Sequence, residues 1–171
     1  MADRGSPPIL LIMGVSGCGK STLGRRLAST LNWLFQEGDS LHPPANIAKM
    51  AAGQPLDDDD RKPWLIAVAA WIDERRAAGE PGLVTCSALK RAYRALLSSE
   101  RPEVRTVFLS GSPELIAGRL AARSDHFMPG SLLASQFAAL EPPSPEEGAI
   151  TVDAGLAVED QVARVLEALG P

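Results

Sequence analysis

An α/β fold, a parallel sheet covered by helices on both faces, is predicted by three features of this sequence. Short apolar runs alternate along the chain with segments of helical period. The length, 171 residues of which 45% are hydrophobic, suits one domain (1–171) with a proper core. A glycine-rich stretch, "GVSGCGKST", follows the first apolar run directly, where a strand would turn into a helix.

The elements follow in order. "MADRGSPP", residues 1–8, reads as a loose polar tail. Strands are expected at Ile9–Met13, Trp33–Gln36, Gly82–Cys86, Val104–Leu109 and Ala149–Val152. A helix is expected over Ser21–Leu31, after the glycines. Trp64, Leu65, Val68, Trp71 and Ile72 fall on one face of another helix. The four aspartates Asp57–Asp60 precede it, as acids that cap free N–H groups and meet the positive end of the helix dipole. Pro63 cannot donate a helical hydrogen bond, so the first turn is expected to be short or bent there. Val158, Val162, Val165, Leu166 and Leu169 mark the face of a last helix, and "EPPSPEEG" at 141–148 reads as a surface loop before the last strand.

Composition excludes several classes. The formal charge of −4 disfavours a general nucleic-acid partner. Ile9–Met13 is far too short to span a membrane or to serve as a signal segment. Cys18 and Cys86 have neither metal-ligand spacing nor the density of a disulfide scaffold, and the cytoplasm is the expected setting.

Residues 14–22 fit the phosphate-loop pattern at Gly14, Gly19, Lys20 and Ser21, with Val15, Ser16, Gly17 and Cys18 between and Thr22 after. The glycines let the backbone curl so that successive N–H groups face phosphate oxygens. The following helix adds its dipole, Lys20 can reach the β- and γ-phosphates, and the Ser21 hydroxyl can ligate Mg²⁺. A dinucleotide-binding reading fails on spacing, because Ser21 and Thr22 stand where a third glycine is needed. The expected ligand is a nucleoside triphosphate. Cys18 lies among inward-pointing amides near Lys20, so both a reactive thiolate and an inert packed thiol stand open.

Phosphoryl transfer to a hydroxyl needs a carboxylate to orient the nucleophile or support the metal. The third strand ends in "CSAL" without an acid, so the usual carboxylate beside the loop is missing. Asp39, closing "WLFQEGD", is the better candidate, and Asp153 reads as a turn or cap residue. His42, in the loop after Asp39, stands open between a ligand and a local hydrogen-bonding residue. Helix-start acids leave Arg61 and Lys62 unexplained, and a carboxylate substrate would give Arg61 a reason. Lys90 and Arg94 are expected on one side of a helix, as either a solvated face or substrate ligands. Arg119 and Arg123 share a helical face before "SDHFMPGSLLASQF".

Taken together, "GVSGCGKST", "GDSLHPPANIAKMAAGQPLDDDDRKPWL", "CSALKRAYR" and "HFMPGSLLASQFAALEPP" resemble the small P-loop gluconokinases of the shikimate- and nucleoside-monophosphate-kinase-like group. The resemblance implies ATP-dependent phosphorylation of D-gluconate to 6-phospho-D-gluconate with Mg²⁺, in sugar-acid catabolism. It implies a P-loop three-layer sandwich whose five-stranded parallel sheet has the order 2-3-1-4-5, a mobile lid with its following helix at about 123–143, and a homodimer. By position it implies Gly14–Thr22 and Arg119 at ATP, Ser21 and Asp39 at the metal, and Asp39 at the sugar hydroxyl. Arg61, Lys90, Arg94, His42 and His126 become candidates for gluconate, Lys20 and Arg123 for catalysis, and Arg123 also for ATP, as the group that meets transition-state charge. The rivals are a shikimate kinase, whose D-x-D is absent at Asp39-Ser40-Leu41, and a non-catalytic nucleotide sensor.

Overall fold

The computed structural model describes residues 5–122 and 130–170. Strand β1 (Ile9–Met13) is buried along its whole length because it is the middle strand of the sheet. The others are β2 (Leu34–Gln36), β3 (Gly82–Thr85), β4 (Val104–Ser110) and β5 (Ile150–Asp153), all parallel, in the order β2-β3-β1-β4-β5. A central parallel strand has apolar neighbours on both faces, which is why "ILLIM" shows no polar alternation.

The pleat sorts that run into two cores. Leu10 and Ile12 join Leu23 and Leu27 of α1 (Lys20–Leu31) and Val162 and Val165 of the last helix, Val158–Leu169. Ile9, Leu11 and Met13 face the opposite layer, against Trp64, Leu65, Val68 and Ile72. The chain is therefore a three-layer sandwich. In chain order the remaining helices are α2 (Pro44–Ala51), α3 (Asp58–Ala78), α4 (Arg91–Ser98), α5 (Pro113–Ala122) and α6 (Gly130–Ala139), which makes the last helix α7.

Helix α3 begins as the acids predict, and it runs on through Pro63, so the first turn is not cut short there. Asp57 is the N-cap, its side chain accepting from Asp60 N at 2.8 Å, while the Asp60 carboxylate accepts from Asp57 N at 3.0 Å. That reciprocal box fixes the first turn before the proline is reached. Edge strand β2 is shorter than expected, since Trp33 belongs to the turn after α1, where its N–H bonds Ala28 O at 3.0 Å.

Candidate active site

All five strands carry their C-terminal ends to one edge, and β1 leaves the sheet between β3 and β4, where α/β folds bind ligands. Gly14 makes the turn out of β1 at φ 151°, and a Cβ there would lie 2.7 Å from Cys18 Sγ and 2.9 Å from Leu109 O. No side chain caps the first amides of α1, which leaves them for an anion. Lys20 Nζ donates to Gly14 O and Val15 O, both at 3.0 Å, holding the cation against the loop it would share with phosphate. Cys18 is fully buried in the α1-side core, packed under the loop. Its carbonyl accepts from Arg119 Nη1 at 3.3 Å, which places Arg119 of α5 beside the loop. Burial pushes the other thiol, Cys86, up to about 12.

No acid closes β3, but a carboxylate reaches its end from Glu37, the residue after β2. Ser21 Oγ donates to Glu37 Oε2 at 2.5 Å, and Thr85 Oγ1, at the end of β3, donates to Glu37 Oε1 at 2.6 Å. Gly38 N in turn donates to Thr85 Oγ1 at 3.0 Å. A Cβ on Gly38 would stand 1.7 Å from Thr85 O, so only glycine lets the chain cross β3 this closely. Trp64 Nε1 of α3 fastens the same turn, donating to Gly38 O at 2.8 Å. Glu37 thus faces the phosphate loop, and Asp39, two residues on, lines the neighbouring cavity. Glu37 is not among the residues that the sequence motifs single out. The available signal was the triplet Glu37-Gly38-Asp39, two acids hinged on a glycine at a strand end. A hydroxyl beside a carboxylate is a hard, oxygen-only donor pair of the kind that suits Mg²⁺ on a nucleotide, where phosphate oxygens and waters complete the shell. Among the described residues no group of three His, Cys, Asp or Glu side chains gathers into a separate metal site.

The cavity has a volume of about 300 Å³ and is lined by Lys20, Asp39, His42, Arg61, Trp64 and Gln136 among others. His42 is buried and stacks on Trp64 with ring centroids 4.0 Å apart. Asn46 Nδ2 lies 3.2 Å from His42 Nδ1 and also donates to Asp60 O at 2.8 Å. Nδ1 is therefore the acceptor, and the proton sits on Nε2. Burial lowers the His42 pKa, with Asp39 opposing and Arg61 adding to the shift, so the ring is neutral at pH 7. Arg61 lies over the Tyr93 ring, 5.6 Å from its centroid, and donates to Tyr93 Oη at 3.1 Å.

The remaining candidates divide. Lys90 is the N-cap of α4, not a residue of its exposed face, and pairs with Asp58 at 3.0 Å. Together with Arg61 it borders a second hollow of about 290 Å³ next to the first. Arg94 is corrected. It is 2% exposed, paired with Glu147 at 2.6 and 3.1 Å, and bonded through Nη1 to Ala88 O and Leu89 O. With its donors engaged inside the protein it lines neither hollow. Arg123 and His126 lie outside the described residues, as does the 123–129 part of the expected lid. Helix α6 after it lines the cavity with Leu132, Ser135 and Gln136.

Comparison with known proteins matches residues 9–143 to the family model described as an AAA domain. The chain is 50% identical to the gluconokinase of Gluconobacter oxydans over 146 residues, 85% of this chain and 82% of that one. It is 41% identical to the thermoresistant gluconokinase of Escherichia coli, over 94% and 93% of the two chains. The crystal structure of a gluconokinase from Sinorhizobium meliloti superposes with a TM-score of 0.85 at 46% identity, covering 97% of this chain and 93% of that one. A shikimate kinase from Aquifex aeolicus shares the fold at a TM-score of 0.59 and 19% identity, covering 94% and 95%.

Proposed function

Since this chain belongs to the gluconokinase family, we propose that its cavity carries out ATP-dependent phosphorylation of D-gluconate to 6-phospho-D-gluconate, a step of sugar-acid catabolism. The observation that carries the assignment of roles is the Glu37-Gly38-Asp39 turn, which sets one carboxylate at the phosphate loop and the other in the acceptor cavity. The free amides of the loop and Lys20 hold the triphosphate. Ser21 and Glu37 would hold Mg²⁺, whose contribution when bound is to neutralise charge on the terminal phosphates. Glu37 thereby takes the metal-side role that the sequence reading gave to Asp39. Asp39 is left to accept the hydrogen bond, and then the proton, of the attacking hydroxyl. The His42 Nε2–H can donate to a hydroxyl, and Arg61 suits the carboxylate of the acid. Arg123 is our candidate for transition-state charge, and His126 for a sugar contact, both by their positions in the family pattern.

We further propose one domain, a homodimer and a cytoplasmic setting. The dimer rests on the family resemblance, and the setting on two buried free thiols. No described helix is long and apolar enough to cross a membrane. The substrate assignment is tested by comparing gluconate with an uncharged six-carbon alditol as acceptor. The alditol should be far poorer, because it leaves Arg61 without an anion. Equal turnover of both would remove Arg61 from the substrate's carboxylate.

A further inference from the structure

Gln136 of α6 reaches across the cavity to the phosphate loop. Its Oε1 accepts from Ser16 N at 2.7 Å, a contact between residues 120 positions apart. Ser16 and Gln136 both line the hollow that holds Asp39 and Arg61. Because a backbone N–H can only donate, the carboxamide atom facing Ser16 must be the oxygen. The Nε2 hydrogens therefore lie on the other arm of the amide of a residue that lines the cavity. Ser16 stands before the run of amides that lead into α1, the ones best placed for nucleotide phosphates.

We propose that Gln136 is a positioning residue for the acceptor: Ser16 N fixes its carbonyl, and its amide hydrogens bond a hydroxyl of a polyhydroxy acid seated between Asp39 and Arg61. The inference rests on the reading above that this cavity takes such an acid. It explains why α6 carries an amide side chain at a wall otherwise formed there by Leu132 and Ser135. A carboxamide supplies both halves of the arrangement, an acceptor for the loop and donors for the substrate, which neither a carboxylate nor an apolar side chain can.

The test uses the full chain and two variants. Gln136→Leu removes both functions, whereas Gln136→Glu keeps an acceptor for Ser16 N and loses the donors. Steady-state ADP release should show the KM for gluconate raised about tenfold or more in both variants. ATP dissociation constants from calorimetry without gluconate should stay within about threefold of wild type. Amide hydrogen exchange at Ser16, read by NMR, should speed up in Gln136→Leu and stay slow in Gln136→Glu. Unchanged gluconate KM, or ATP affinity falling in parallel with it, would overturn the proposal. Wild-type protein that ignores gluconate would instead overturn the functional reading, and Ser16 exchange would still decide the contact, equal rates in wild type and Gln136→Leu counting against it.

Discussion

Glu37 and Asp39 are separated by a glycine that no other residue can replace without striking Thr85 O, and that hinge gives two like carboxylates different neighbours. Their substitutions should therefore fail in different ways. Asp39→Asn should lower kcat by about 10²- to 10⁴-fold while ATP binding stays nearly intact, because it removes the proton acceptor and little else. Glu37→Gln should shift the Mg²⁺ dependence of the rate to higher concentration, because it weakens the support of Ser21 at the metal. Titrating Mg²⁺ against initial rate separates the two, and identical profiles would merge the roles. The place of Asp39 in the cavity was legible because it closes an apolar run and opens a polar loop. Glu37 was not, since its role depends on Thr85, 48 residues away. The same holds for Arg94, read as a free cation because its partner Glu147 lies 53 residues downstream.

At the scale of elements, the turn after β3 is held from outside the sheet. Ala88 takes the left-handed conformation at φ 45°, which costs a non-glycine residue about 1 kcal/mol or more, and its carbonyl is bonded by Arg94 Nη1 at 2.9 Å. Glu147 ties Arg94 to the turn Pro145–Glu147, where its Oε2 also accepts from Ser144 N at 2.8 Å. Glu141 N adds a bond to Leu89 O at 2.8 Å, so the segment read as a plain surface loop anchors the C-terminal end of α6. Arg94 chiefly, and the Ser144 amide, hold the Glu147 carboxyl below its ordinary 4.5 against the opposing effect of burial. A depressed folded pKa means that the stabilisation is fully present above about 4.5 and is lost as pH falls through the lower folded value. The Tm of Glu147→Gln should accordingly lie below wild type at pH 7, with the gap closing as the solution is acidified below pH 4.5. A gap that stayed constant through that range would remove the ion pair as its cause. The start of α3 is the opposite case, legible from Asp57–Asp60 alone because a capping box is local.

Across the whole molecule, the layers followed from periodicity, since a five-residue apolar run and a helical stripe each dictate which faces must be covered. The strand order came from the family resemblance, because alternation alone does not say which strands are neighbours. The candidate site draws on the end of β2, β3, α1, α3 and α6, which meet only when the sheet assembles. Under the roles proposed above, that convergence asks for an acceptor with a hydroxyl near Asp39 and an anionic end near Arg61 in one cavity of about 300 Å³. The direct measurement is ATP-dependent ADP release by the purified chain across D-gluconate, shikimate, ribose and nucleoside monophosphates. Release should depend on gluconate, with 6-phospho-D-gluconate as the product and the other acceptors at background. Preference for shikimate or a nucleoside monophosphate, or ADP release indifferent to gluconate, would contradict the assignment.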